Sequence, residues 1–149
     1  MLKNYFFVIF SFSFFALSQS DRFVIKNTGV NMTVAILAVD PLIELGDTIV
    51  ALYSNDDLND KKSNPYTNPE LFSVGGLTIW RGERLAIALW GNDSTSDIKD
   101  GFINNESINW AVLKNNKYNP VQLIYRSGTN FWEPNGIHIV DSLKKKLNY

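Results

Sequence analysis

The 149-residue sequence contains no cysteine and a single histidine, His138. Without cysteine, the chain forms neither a disulfide scaffold nor a cysteine-ligated zinc site. A single histidine excludes a His-rich metal site, and any Ser–His–Asp triad would have to use His138. Because His138 alternates with apolar neighbours in Gly-Ile-His-Ile-Val, we interpret it as a polar side chain that faces the surface.

An excess of either charge is also missing. The 14 basic residues nearly balance the 15 acidic ones, which gives a formal net charge of −1. Nucleic-acid binding needs clustered excess Lys and Arg, so nucleic acid is not expected as the main partner. With 45% hydrophobic and 19% charged residues, the chain has the composition of a folded protein rather than a disordered one.

Residues 1–20 have the organisation of a secretory signal peptide. Lys3 precedes an apolar stretch over residues 5–17, and Ser18 and Ser20 provide a small-x-small cleavage site. The stretch is about 13 residues long, short of the roughly 20 that span a bilayer. We expect cleavage after Ser20, which leaves a secreted or cell-surface domain over residues 21–149 without a transmembrane segment. An uncleaved anchor is the alternative.

Short runs rich in β-branched and aromatic residues dominate the remainder of the chain, each bounded by Gly, Asn, Asp or Pro. They cover residues 23–25, 32–39, 48–53, 77–80, 85–90, 108–113 and 121–125. This pattern predicts an all-β domain, a single antiparallel β-sandwich. The spacing of Ile137, Val140 and Leu143 favours one short C-terminal helix over residues 136–147, but Ile137 and Ile139 also fit a strand.

The runs at 77–80 and 85–90 are candidates for a hairpin. With Gly82 and Glu83 at the centre of the turn, Trp80 would face Leu85. Both faces of the hairpin would then be mainly apolar, which favours central strands over edge strands. The polar stretches at residues 55–70 and 92–101 are expected to be exposed loops.

Motifs of Gly, Trp and Asp follow one another through the chain. In order they are Gly46-Asp47-Thr48-Ile49 with Tyr53, Val74-Gly75-Gly76, Trp80-x-Gly82, Ile87-x-x-Trp90-Gly91, Asn92-Asp93-Ser94-Thr95, Asp100-Gly101-Phe102, Glu106, Trp110, Phe131 and Asn135-Gly136-Ile137. This order resembles an extracellular β-sandwich domain of roughly 130 residues, often repeated, in secreted and surface proteins of Bacteroidetes-type bacteria. The resemblance implies a module of adhesin-like or cell-surface proteins.

Three aromatic residues are candidates for ligand binding: Trp132, Tyr66 and Trp80. An exposed aromatic ring offers a flat apolar face on which a sugar ring stacks. Trp132 lies outside a clear strand and is the aromatic side chain that we expect to be most exposed, followed by Tyr66. Trp90 and Trp110 lie in strands and are expected in the core.

Asp93, Asp97 and Asp100 are candidate Ca²⁺ ligands, because calcium takes six to eight oxygen ligands and this loop is rich in them. The spacing is not that of an EF-hand loop. The alternative is a turn in which the Asp, Ser and Thr side chains bind local backbone amides. Apart from this possible Ca²⁺, no cofactor is expected.

The sequence as a whole predicts a non-catalytic module for adhesion or for binding an extracellular glycan or surface protein. A structural or packing subunit of an extracellular assembly is the first alternative. A small secreted hydrolase is the second, because glycoside hydrolysis needs only two carboxylates and Glu83, Asp93 and Glu106 could supply them. No motif singles out a pair among them, so we do not expect an enzyme.

Overall fold

The computed structural model describes residues 25–55 and 64–146. The predicted signal peptide, Phe23, Val24 and the centre of the 55–70 stretch lie outside these residues. The regular structure of the described part consists of one 3₁₀ helix, Pro69–Leu71, and seven strands: β1 Asn31–Ile36, β2 Thr48–Ser54, β3 Phe72–Ile79, β4 Leu85–Trp90, β5 Asn109–Lys114, β6 Lys117–Ser127 and β7 Ile137–Lys145. The all-β prediction is confirmed. No helix in residues 25–55 and 64–146 is long and apolar enough to cross a bilayer.

The seven strands form one sheet in the order β3-β2-β5-β6-β7-β1-β4. Neighbouring strands are antiparallel except for β1 and β7, which are parallel. The long strand β6 pairs with β5 through Lys117–Pro120 and with β7 through Val121–Ser127, so it passes from one half of the sheet to the other. The layers of the predicted sandwich are therefore two halves of one curved sheet.

The two end strands of this sheet, β3 and β4, approach each other closely, which makes the fold nearly a barrel. A Cβ built at Gly76 in β3 would lie 2.6 Å from the backbone oxygen of Ala88 in β4. Only glycine allows the two backbones to approach this far, because any side chain would meet a backbone atom that cannot rotate away. Gly76 thus lets the curved sheet nearly close on itself.

The predicted hairpin around Gly82 is wrong. β3 pairs with β2, and β4 pairs with β1, so the two strands lie at opposite ends of the strand order. The pairing of β4 with β1 places Ile87 and Leu89 beside Val34 and Met32, and all four side chains are buried. Matching these buried faces outweighs the short connection through Gly82, because burying each such side chain contributes about 1.5–3 kcal/mol.

The predicted C-terminal helix is also wrong, and β7 occupies most of its range. Register shifts between β6 and β7 leave Asp141 as an extra residue opposite Ile124 and Tyr125. Val140 and Leu143 can therefore both face the interior although they are three residues apart. A bulge of this kind gives a strand a local spacing that looks helical in the sequence.

Buried side chains form two clusters on opposite faces of the sheet. The interior cluster includes Met32, Val34, Ile36, Ile87, Leu89, Phe102, Trp110, Trp132, Val140 and Leu143. The outer cluster consists of Val50, Leu52, Phe72, Val74 and Ala111, with Ile25, Tyr66, Leu71, Leu77, Leu113 and Tyr118 packed against it. β2 is buried on both faces because its alternate residues contribute to the two clusters.

Candidate functional site

The connection between β6 and β7, residues 128–136, carries Trp132 into the interior, and we call it the Trp132 loop. The Trp132 side chain is only 4% exposed, so the expectation of an exposed ring is wrong. Its ring stacks on Phe102, with centroids 6.4 Å apart and planes 7° apart. The indole Nε1 donates to the Leu89 carbonyl at 3.0 Å. Trp132 therefore presents no free ring face to a sugar.

Backbone pairing explains why a residue outside the strands is buried so firmly. The Trp132 amide donates to the Glu106 carbonyl, and the Trp132 carbonyl accepts from the Asn105 amide, both at 2.9 Å. These bonds join the Trp132 loop to residues 91–108, the connection between β4 and β5, which we call the Asp93 loop. The two loops together close one end of the curved sheet.

Three glycines of the sequence motifs make this closure possible. A Cβ at Gly91 would lie 2.5 Å from the Trp132 ring, and a Cβ at Gly75 would lie 2.4 Å from the Phe102 ring. A Cβ at Gly101 would lie 2.3 Å from the Gly91 carbonyl oxygen. Real Cβ atoms do not come this close to other atoms, so each position requires glycine. The Gly and Trp motifs thus mark sites of tight packing.

The acidic residues of the Asp93 loop serve its backbone. Asp100 Oδ1 accepts from the Asp93 amide at 2.9 Å, and Asn92 Oδ1 accepts from the Asp100 amide at 2.8 Å. Asp93 Oδ1 accepts from both the amide and the hydroxyl of Thr95. Asp97 is exposed. In the described part of the chain, no three His, Asp or Glu side chains are arranged to hold a metal ion. The geometry therefore favours the turn alternative over Ca²⁺ ligation by Asp93, Asp97 and Asp100.

Electrostatics in this loop follow from the same bonds. The Asp93 amide and then the Lys26 ammonium lower the pKa of Asp100 from its ordinary value. The Thr95 hydroxyl and amide lower the pKa of Asp93. The hydrogen bond to Asp100 raises the pKa of Lys26. The ionised forms of all three groups are thus favoured. The ion pair between Lys26 and Asp100 therefore joins the segment before β1 to the Asp93 loop.

Glu106 joins several parts of the chain through its carboxylate. Its Oε1 accepts from the Ser54 amide at 2.8 Å and from Lys99 Nζ at 3.1 Å, and its Oε2 accepts from the Ile103 amide at 2.9 Å. The Lys99 and Glu106 side chains are only 9% and 11% exposed. Glu106 therefore fastens the Asp93 loop to the end of β2, whereas Glu83 is exposed in the turn between β3 and β4.

Tyr66 and Trp80, the other two aromatic candidates, belong to different clusters. Tyr66 is partly buried in the outer cluster, and its hydroxyl donates to the Trp110 carbonyl at 2.8 Å. Burial raises the pKa of the Tyr66 hydroxyl. Trp80 is partly buried against the interior cluster. The three aromatic candidates thus form no common surface. The predicted core position of Trp110 is confirmed, whereas Trp90 is only partly buried.

His138 is buried, so its interpretation as a surface residue is wrong. Only 2% of the residue is exposed, whereas its neighbour Ile137 is 73% exposed. The ring lies 2.9 Å from the Thr129 carbonyl through Nδ1 and 3.0 Å from Glu133 Oε1 through Nε2. The alternation in β7 was correct, but the sequence did not show which set of residues faces inward.

Sequence reasoning missed an exposed apolar surface. Leu42, Leu45 and Ile79 are 59%, 72% and 46% exposed, and we call them the Leu45 patch. Their segments adjoin, because the Gly46 amide donates to the Trp80 carbonyl at 2.8 Å and Thr48 pairs with Ile79. The available signal was the presence of three apolar residues in Leu42-Ile43-Glu44-Leu45, a short segment between the turn residues Asp40-Pro41 and Gly46-Asp47.

Comparisons with protein-family models, curated proteins and solved structures found no match to this chain.

Proposed function

We propose that this chain is an exported, non-catalytic binding module that engages a protein partner through the Leu45 patch. The observation that carries the proposal is the exposure of Leu45, which leaves most of a large apolar side chain in water. Leu42 in the same loop and Ile79 at the end of β3 are also substantially exposed. Clustered exposed apolar side chains mark interaction sites more often than isolated ones do.

The chemistry of the patch favours a protein over a glycan. Its side chains are aliphatic, whereas sugar rings stack on aromatic faces. At its border, Glu44 and Lys114 form an ion pair at 2.8 Å, and Lys114 also lies 3.9 Å from Asp47. An apolar centre with a charged rim is the usual composition of a protein–protein interface.

The contacts of the carboxylates support a non-catalytic role. Glu106 accepts three hydrogen bonds, and Asp93 and Asp100 hold the turns of their loop. A retaining or inverting glycosidase instead needs two carboxylates that flank a bound sugar. The signal-peptide pattern of residues 1–20 and the resemblance to bacterial surface modules support export and a secreted or cell-surface location.

The test is capture of extracellular proteins on the immobilised chain, followed by titration with each purified partner. Leu45→Asp should weaken binding of a true partner at least about tenfold, since burying a charge at an apolar contact is costly. Ile98→Asp is the matched control, because Ile98 is 76% exposed in the Asp93 loop. Equal binding by both variants, or saturable binding to a glycan array that Leu45→Asp leaves unchanged, would contradict the proposal.

A packing subunit of an extracellular assembly is the second candidate, and the outer face of β4 and β1 favours it. Ala86 and Ala88 are exposed there, and they pair with Ala35 and Thr33. Small side chains give this face a flat surface on which another sheet could pack. Concentration-dependent association that Ala88→Lys abolishes would support this candidate, whereas a monomer at all concentrations would contradict it.

A further inference from the structure

The outer face of the sheet differs between its two halves. The outer cluster lies on β2, β3 and β5, and it contains no residue of β1, β4 or β7. In these three strands alternate residues are buried in the interior, and the residues between them point outward. We call the outward residues the β1 face: Asn31, Thr33, Ala35, Ala86, Ala88, Trp90, Ile137 and Ile139.

None of the residues of the β1 face carries a charge. Ala86 and Ala88 are exposed, and Ile137 is 73% exposed. Removing apolar surface from water contributes about 25 cal/mol per Å². The β1 face therefore suits contact with a second apolar and uncharged surface.

Strand pairing arranges the β1 face in rows that run across the sheet, with β1 in the middle. Each row has an alanine on β4 and an isoleucine on β7. The two rows are Ala88–Thr33–Ile137 and Ala86–Ala35–Ile139. The face thus has small side chains on one side of β1 and large side chains on the other.

Opposite charges extend this asymmetry by one row. Leu85 of β4 and Val140 of β7 pair with the same residue of β1, so Arg84 and Asp141 lie on opposite sides of the next β1 position. Arg84 is exposed and forms no ion pair within residues 25–55 and 64–146. The Asp141 side chain contacts Arg126 and is still 43% exposed. The alanine side of the face therefore ends in a cation and the isoleucine side in an anion.

We propose that two copies of this chain associate through the β1 face about a twofold axis that runs roughly along β1. In a twofold contact the same patch of both copies is used, and its two sides meet reciprocally. The alanines of β4 then face the isoleucines of β7 in the second copy, and Arg84 of each copy faces Asp141 of the other. Packed sheets keep their strands aligned to within about 30°, which this axis allows.

The distribution of side chains selects both the partner and the axis. A second copy supplies a large side chain opposite each small one and an anion opposite each cation. A twofold axis across the strands would instead set isoleucine on isoleucine and alanine on alanine, which would space the two sheets unevenly. The proposal rests on the packing candidate described above and names its partner, and it is independent of the Leu45 patch.

Analytical ultracentrifugation of the exported chain tests for this association. The chain should dimerise reversibly, and Ile137→Lys should weaken dimerisation at least about tenfold, because it brings a charge into an apolar contact. Ile98→Lys is the matched control, since Ile98 is 76% exposed in the Asp93 loop, and it should dimerise like the wild type. A monomer at all concentrations up to about 1 mM, or equal dimerisation of the two variants, would overturn the proposal.

A charge exchange tests the predicted axis. Arg84→Glu alone and Asp141→Lys alone each set like charges against each other, so each variant should dimerise weakly. In an equimolar mixture both contacts join opposite charges again, and the heterodimer should be at least about tenfold tighter than either homodimer. Arg81→Glu, a charge reversal in the same connection between β3 and β4, is the control and should dimerise like the wild type.

The outcomes also separate this proposal from the two candidate functions. Dimerisation that Ala88→Lys abolishes, but that the mixture of charge variants does not restore, would keep the packing candidate and overturn the twofold arrangement. Leu45→Asp should dimerise like the wild type even where it loses a protein partner. Loss of dimerisation in Leu45→Asp would show that the Leu45 patch makes the contact, and would overturn the proposal.

Discussion

The two buried clusters lie on opposite faces of one sheet and are enclosed in different ways. The interior cluster is closed by loops whose glycines admit the Trp132 and Phe102 rings with no space for a further methyl group. The outer cluster is covered by side chains from several segments, including Tyr66, which is joined to the sheet by one hydrogen bond to Trp110. The interior cluster therefore depends on an exact fit between glycines and aromatic rings. The outer cluster depends on an apolar cover that tolerates substitution of single side chains.

This difference changes the meaning of the sequence motifs. Gly75, Gly91 and Gly101 each sit against a ring or a backbone of the closed end. Asp100 and Glu106, which follow in the same motif order, hold the Asp93 loop. These residues of the motif order therefore take part in packing and loop closure.

The largest effect is expected for Trp132→Ala. The change removes a stacked, buried ring and its hydrogen bond to Leu89, which should cost about 3–5 kcal/mol of unfolding free energy. Urea denaturation measures this cost. Trp80→Ala removes an indole of the same size that is only partly buried, and it should cost clearly less. Both residues pack on the interior cluster, so equal costs would contradict the claim that the tight enclosure of the Trp132 ring sets its contribution.

Gly101→Ala should destabilise the chain by about 3 kcal/mol, because the added methyl group meets the Gly91 backbone and cannot be moved aside. Gly46→Ala is the control, since space is open around Gly46 and only its positive φ of 92° opposes the change. The control should cost about 1–2 kcal/mol. A Gly101→Ala variant as stable as Gly46→Ala would show that the backbone around Gly91 and Gly101 can move to accommodate a methyl group.

A smaller effect is expected in the outer cluster. Tyr66→Phe keeps the ring and removes the hydroxyl that donates to the Trp110 carbonyl, so it should cost about 0.5–1.5 kcal/mol. The same variant should speed proteolysis within residues 64–71, which measures release of this segment. A cost as large as that of Trp132→Ala would show that the outer cluster is no more tolerant than the interior.

The smallest effect is the acid response of the Asp93 loop. The pKa of Asp100 is lowered from 3.8 in the folded state, so its ionised carboxylate stabilises the fold above that value. This stabilisation is lost as the pH falls through the lowered pKa. Asp100→Asn should therefore reduce the acid dependence of the urea midpoint, whereas Asp97→Asn, a change at an exposed residue of the same loop, should not. Identical acid profiles for the two variants would contradict this account.

The strand content of the fold could be read from the sequence, because β-branched runs and turn residues are local signals. The run at 85–90 coincides with β4, and the run at 48–53 lies within β2. Pairing could not be read in the same way. The choice of β1 as partner for β4 depends on matched buried faces that are distant in the sequence. The bulge at Asp141 changed the apparent period of β7 and produced a false helix.

The candidate site was less predictable than the fold for a related reason. Trp132 has no strand pattern around it, and its burial depends on backbone bonds to Asn105 and Glu106 in another loop. The alternation around His138 was visible, but which face was inward depended on the neighbouring strands. Asp93 and Asp100 gave the same local pattern for a turn as for a metal site, and their hydrogen bonds to backbone amides fit the turn.

The most direct test of the central claim is a double-mutant cycle between Gly91 and Trp132. A Cβ at position 91 would meet the outer atoms of the Trp132 six-membered ring, and Phe lacks those atoms. Gly91→Ala should therefore cost less in a Trp132→Phe background than in the wild type, with a coupling of at least about 1 kcal/mol. Costs that add to within about 0.5 kcal/mol would show that Gly91 does not serve to admit this ring, and would contradict the account.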